Sequence, residues 1–200
     1  MSATMLVWLA AAALYALFHF WYVGFRSKLT PEEIERVLAV VREHDPSKQA
    51  MFRRIFEEDT GREFYMVNLL KLHRQLPSGE YGPQVLMKYQ KPFMAAMLRR
   101  GGHPIAMARA ASPATESWGI DHADDWDAAV LVRYRSRRDL AEILCTPMFR
   151  SQHPYKLQAV SKTFAFMADP ARIIIGGPRL VVPLALLCAA ALLTLAMAHV

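Results

Sequence analysis

Four polar residues stand where a polar group needs a reason: Asn68 and Arg133 fall in the middle of apolar runs, and Tyr89 and His153 fall on segments of helical periodicity. A buried polar group left unpaired costs about 1–3 kcal/mol, so these four pair with one another or with a ligand. A ligand held in that way would be a small apolar molecule carrying one polar head. Other chemistry is poorly represented. The densest acidic stretch, Asp121-His122-Ala123-Asp124-Asp125-Trp126-Asp127, lacks the central glycine and distal glutamate of a calcium loop and reads as a solvated turn before a strand. His73, His103, His122 and His153 have no zinc-like spacing, and no HExxH, CxxC, glycine-rich phosphate loop, nucleophile elbow or paired-carboxylate motif occurs. His19 lies in an apolar run where a lone imidazole can ligate haem or chlorophyll; its aromatic neighbours and basic flank fit an interfacial polar group better. Cys145 and Cys188 read as buried small apolar groups, since neither has a basic motif nearby to favour a thiolate. The expectation is therefore no metal and no cofactor.

The elements that must position the four candidates can be read from periodicity. Thr30-Pro31-Glu32-Glu33 is a capping box with proline at the first helical position, and Ile34, Val37, Leu38 and Val41 follow at helical spacing to about His44. Asp45-Pro46 repeats the start signal for a second helix ending near Gly61, with Met51, Phe52, Ile55 and Phe56 on one face. These two helices form a collar over residues 26–61. Strands are expected at 62–72, 104–111, 127–135 and 160–167, and the first and third are apolar at consecutive positions, as strands covered on both faces are. A helix kinked at Pro92 lies between the first two strands. Ser136 caps a helix through Leu144, and Pro147 opens another. The order β-α-β, β-α-β predicts an α+β fold, a ferredoxin-like βαββαβ domain over residues 62–170.

The ends of the chain are of a different kind. Of 200 residues 54% are hydrophobic, and the excess is concentrated in residues 1–25 and 180–198, neither of which contains a lysine, arginine, aspartate or glutamate. Each run is long enough to cross a bilayer as a helix, and the segment between them has the composition of an ordinary soluble domain. A soluble monomer and a polytopic transporter are both excluded by this arrangement. The N-terminal run has no basic residue before it, as a signal peptide would; Arg26, Lys28 and Arg36 follow it, and Arg172 and Arg179, in the basic linker 171–179, precede the second run. The positive-inside bias places residues 26–179 in the cytoplasm and both termini in the periplasm of a cell inner membrane. All 24 basic and 18 acidic residues, and hence the net charge of +6, belong to that middle part. Its acidic partner is the lipid bilayer rather than nucleic acid, because the charges are spread rather than striped with aromatics.

Tyr65-Met66-Val67-Asn68-Leu69-Leu70-Lys71-Leu72, then Tyr89 and Gly101-Gly102, then Trp126 through Arg137, and finally Met148-Phe149 with His153 resemble the dimeric α+β barrel superfamily, and within it a group of small domains of unknown function. In that group the histidine is followed by arginine, where Pro154 stands here. The resemblance implies that two four-stranded sheets close face to face across a homodimer, burying on the order of 2,000 Å², so that an acidic residue at Val130 would disrupt it. The competing covers are a different subunit, or the collar helices of residues 31–58 folding back on their own sheet through Met51, Phe52, Ile55 and Phe56. The superfamily hosts oxygenases, isomerases and haem-dependent enzymes, so fold alone does not choose a function. Two readings follow. One is a membrane-anchored, non-catalytic accessory or assembly subunit of an inner-membrane complex of respiratory or photosynthetic type. The other is a membrane-bound monooxygenase or isomerase acting on a lipophilic aromatic, quinone or terpenoid, with Asn68, Tyr89, Arg133 and His153 as its ligand-binding residues.

Overall fold

The computed structural model describes residues 1–24, 27–116, 118, 126–170 and 177–198. The residues Asp121 to Asp125, Arg26 and Arg172 of the sequence argument lie outside that set. The chain divides into two compact units, residues 26–170 and residues 1–25 together with 171–200.

In the larger unit, helix α2 (Pro31–His44) begins with the expected capping box: the Glu33 N–H donates to the Thr30 hydroxyl, and the Thr30 N–H donates to the Glu33 carboxylate at 2.7 Å. The next segment is a 3₁₀ turn (Pro46–Lys48) followed by α3 (Gln49–Glu57), where the sequence pattern suggests one helix to Gly61. The reason is local. Asp45 accepts the Ser47 N–H at 3.1 Å and its own carbonyl takes the Lys48 N–H at 3.2 Å, which closes a tight turn before the α-helical ladder starts. Asp59, almost fully buried, then accepts N–H groups from Leu29 (3.0 Å) and Gly61 (2.9 Å) and ties the two ends of the collar together.

Strand β1 (Phe64–Leu72) leads through a turn to α4 (Gly82–Arg99), which runs through Pro92 as one helix, and then to β2 (His103–Arg109), β3 (Ala128–Tyr134), α5 (Arg137–Leu144), α6 (Pro147–Ala159) and β4 (Val160–Ala168). The strands lie within two residues of the expected bounds. They form one antiparallel sheet in the order β2-β3-β1-β4, so the fold is α+β.

Register decides which side chains share a face. Phe64, Met66, Asn68 and Leu70 stand opposite Tyr134, Val132, Val130 and Ala128, and this side carries the core. Phe64 and Tyr134 stack with ring centroids 5.0 Å apart, under Val37, Leu38 and Phe56 of the collar, Met97 of α4 and Ile143 of α5. The collar thus shares the core of the sheet domain. On the opposite face lie Tyr65, Val67 and Leu69 with Leu131, Phe164 and Phe166. That face is open in this unit, with Phe164 57% and Phe166 47% exposed. Val130 therefore belongs to the helix side, and the mid-strand residue that presents itself on the open face is its neighbour Leu131.

The smaller unit pairs α1 (Ala3–Tyr22) with α7 (Pro178–Ala198), both long and apolar enough to cross a membrane. Ser2 caps α1, and Phe18 stacks on Tyr22 at 5.2 Å while the Arg179 guanidinium lies 5.9 Å above the Tyr22 ring. Cys188 lies exposed on the surface of α7 and Cys145 is half-buried, so neither is the fully buried group suggested by its apolar surroundings in sequence.

Candidate functional site

Of the four candidates, Tyr89 and His153 come together. Positions 149, 153 and 156 share one face of α6 because they are spaced by four and three residues. Phe149 stacks on the His153 ring at 4.6 Å, Tyr89 of α4 meets it edge-on at 6.1 Å, and His44 at the end of α2 meets its other side at 5.7 Å. The Lys156 ammonium lies 5.8 Å above the Tyr89 ring. The His153 Nδ1 is buried and has no hydrogen-bond partner among the described residues, whereas the His44 Nδ1 is 2.9 Å from the Val40 carbonyl oxygen.

The electrostatics of this cluster follow chiefly from burial. Desolvation, reinforced by Lys156, His44 and Lys48, pushes the His153 imidazole down to about 4. Desolvation lowers Lys156 as well, and raises the Tyr89 hydroxyl well above its usual range with a smaller contribution from Tyr134. The imidazole is therefore neutral near pH 7 and can offer one ring nitrogen to the polar head of a ligand or to a proton in transfer.

Arg133 and Asn68 are placed elsewhere. Arg133 is 3% exposed; its Nε donates to Glu63 at 2.7 Å and its Nη1 to the Gly101 carbonyl at 2.7 Å. Gly102 is required beside it, because a Cβ there would lie 2.9 Å from the Arg133 carbonyl oxygen. Asn68 turns its amide back to the sheet, donating to the Met66 carbonyl at 3.2 Å and to the Val130 carbonyl at 3.5 Å. Both are satisfied by groups outside the four. Sequence reasoning overlooked Lys156 and His44. The i, i+3 spacing from His153 could have found Lys156, but nothing in the sequence brings His44 to α6. Among the described residues no group of three or more His, Cys, Asp or Glu side chains could hold a metal ion.

Compared with protein-family models and with curated proteins, the chain matches none. Two solved structures resemble it. One is the crystal structure of the RPA0582 protein of unknown function from Rhodopseudomonas palustris, with a TM-score of 0.53 and 20% identity over 62% of this chain and 94% of that one. The other is that of methylated RPA0582, with a TM-score of 0.53 and 19% identity over 63% of this chain and 93% of that one. At this identity the likeness is one of fold.

Proposed function

We propose that this chain is a membrane-anchored, non-catalytic accessory or assembly subunit of an inner-membrane complex of respiratory or photosynthetic type. In this reading α1 and α7 are its two spans, residues 26–179 are cytoplasmic and both termini are periplasmic. The observation that carries it is the pair of long apolar helices, α1 and α7, on either side of the sheet domain in the sequence, while the open apolar face around Leu131, Phe164 and Phe166 supplies a surface for association. The satisfaction of Arg133 and Asn68 by internal partners supports it, since two of the four candidate residues are then structural. We read the sheet domain as a ferredoxin-like unit of the dimeric α+β barrel type, in which a second copy covers that face. The full chain purified in a mild uncharged detergent is expected to contain two copies and to co-migrate with other membrane polypeptides at fixed stoichiometry. Leu131→Asp, which puts a carboxylate on the open face, should halve the copy number. A lone, colourless homodimer would overturn the subunit reading, and a monomeric wild type would overturn the barrel.

The unpartnered Nδ1 of His153 favours a second reading, a membrane-bound monooxygenase or isomerase acting on a lipophilic aromatic, quinone or terpenoid. It requires turnover of such a compound that is lost in His153→Ala while binding by Tyr89→Phe persists.

A further inference from the structure

A cleft of about 770 Å³ opens at the edge of the larger unit, where β1 exits toward α4 and where β2 and β3 meet. It lies apart from His153, and the functional reading above does not use it. Its walls are tied down by backbone. The His73 N–H donates to the Ala159 carbonyl at 2.9 Å, the Gly82 N–H to the Arg74 carbonyl at 3.3 Å, and the Ala110 N–H to the Asp127 carbonyl at 2.9 Å. Gly82 approaches so closely that an added Cβ would fall 1.8 Å from the His73 carbonyl oxygen. The apolar lining includes Trp126, Met107, Leu72 and Val130, and Tyr81 also lines the cleft.

The charges in this cleft are unbalanced. Among the described residues its one lining carboxylate, Asp127, is already engaged, accepting the Leu72 N–H at 2.7 Å and facing the Lys71 ammonium at 3.5 Å. Lys162 lies 4.4 Å above the Trp126 ring, so the same ring already carries a cation. Arg74 and Arg109 also line the cleft, and among the described residues neither guanidinium has a hydrogen-bond or ion-pair partner. Among the described residues these two guanidiniums are unpaired, and beside an aromatic and thioether surface they match an anionic oxygen head on an apolar body.

We propose that this cleft binds a small amphiphilic carboxylate or phosphate, with Arg74 and Arg109 on the anionic head and Trp126 and Met107 against the apolar body. A soluble aromatic acid and a single-chain lipid acid share that chemistry. Equilibrium dialysis of the full chain in dodecyl maltoside separates them, with 2-naphthoate and decanoate as probes and empty micelles as the blank. Saturable binding of one probe per chain is expected for at least one of the two, and which one binds identifies the source. The neutral isostere 2-acetylnaphthalene, or decanol for the lipid arm, should bind at least tenfold more weakly, and Arg74→Gln/Arg109→Gln should weaken the anion by a similar factor. Arg54→Gln, in an exposed pair with Glu58 at 2.9 Å on α3, should leave binding unchanged. The proposal is overturned if neither acid binds beyond the micelle blank, if the neutral isostere binds equally, or if the double variant binds like the wild type with an unaltered circular dichroism spectrum.

Discussion

The two faces of the sheet carry nearly the same aromatic equipment and use it differently. On one, Phe64 and Tyr134 stack at 5.0 Å and are almost fully buried; on the other, Phe164 and Phe166 lie 5.8 Å apart and are about half exposed. Residue type is therefore not what separates core from surface here. What separates them is which face the collar, α4, α5 and α6 occupy. The first face holds the fold together, and the second has apolar area to spend on association.

Three perturbations test that contrast. The largest is Phe64→Ala, which removes a ring from the densest part of the core and should cost about 3–5 kcal/mol, read as a shift in the chemical denaturation midpoint of the larger unit. Second is acid. Since the folded His153 holds its proton only near pH 4 against an ordinary 6.5, the unfolded chain binds that proton first as pH falls. Stability is then complete above about 6.5 and declines toward 4, by on the order of 2 kcal/mol given the ring's partial access to water. Denaturation at pH 7, 6 and 5 should show that slope in the wild type and a flatter one in His153→Phe. Carboxylates such as Glu33, which Arg138 holds below the usual range, enter only at the acid end of this window, and Asp139, raised by burial, acts in the opposite sense. Both are common to the wild type and His153→Phe, so the difference between the two slopes reports the imidazole. Smallest is Phe164→Ala, measured in a Leu131→Asp background, where the proposed association through the open face is expected to be lost. It should cost under about 1 kcal/mol, because the ring is already half in water. A cost near that of Phe64→Ala would mean that the open face is covered within a single chain.

Much of the fold was legible because its signals are local. The Thr30 and Ser136 caps, Pro147 at the start of α6 and the apolar run Ala128 to Val132 each announce an element without reference to anything distant. The partners were illegible for the opposite reason. Arg133 finds Glu63 seventy positions away, and His44 reaches α6 only because α2 packs into the core. Both depend on strand order and helix placement, which no short pattern encodes. The collar shows the same limit: its apolar stripe marks its own sheet as one surface it could cover, but only the packing of Val37, Leu38 and Phe56 on Phe64 and Tyr134 decides it.

The strand order also has a consequence in time. β1, in the interior of the sheet, pairs with β4, and roughly ninety residues of chain separate them. At about 5–20 residues per second of synthesis, β1 waits some 4–18 s with one edge and its apolar side chains unmatched. β4 ends at Ala168 and α7 starts at Pro178, so the strand that completes the sheet and the second apolar helix leave the ribosome almost together. Closing the domain and delivering its last helix are thus neighbouring steps of biogenesis, and a chain stalled shortly before Val160 would present an unfinished sheet to whatever chaperone attends it.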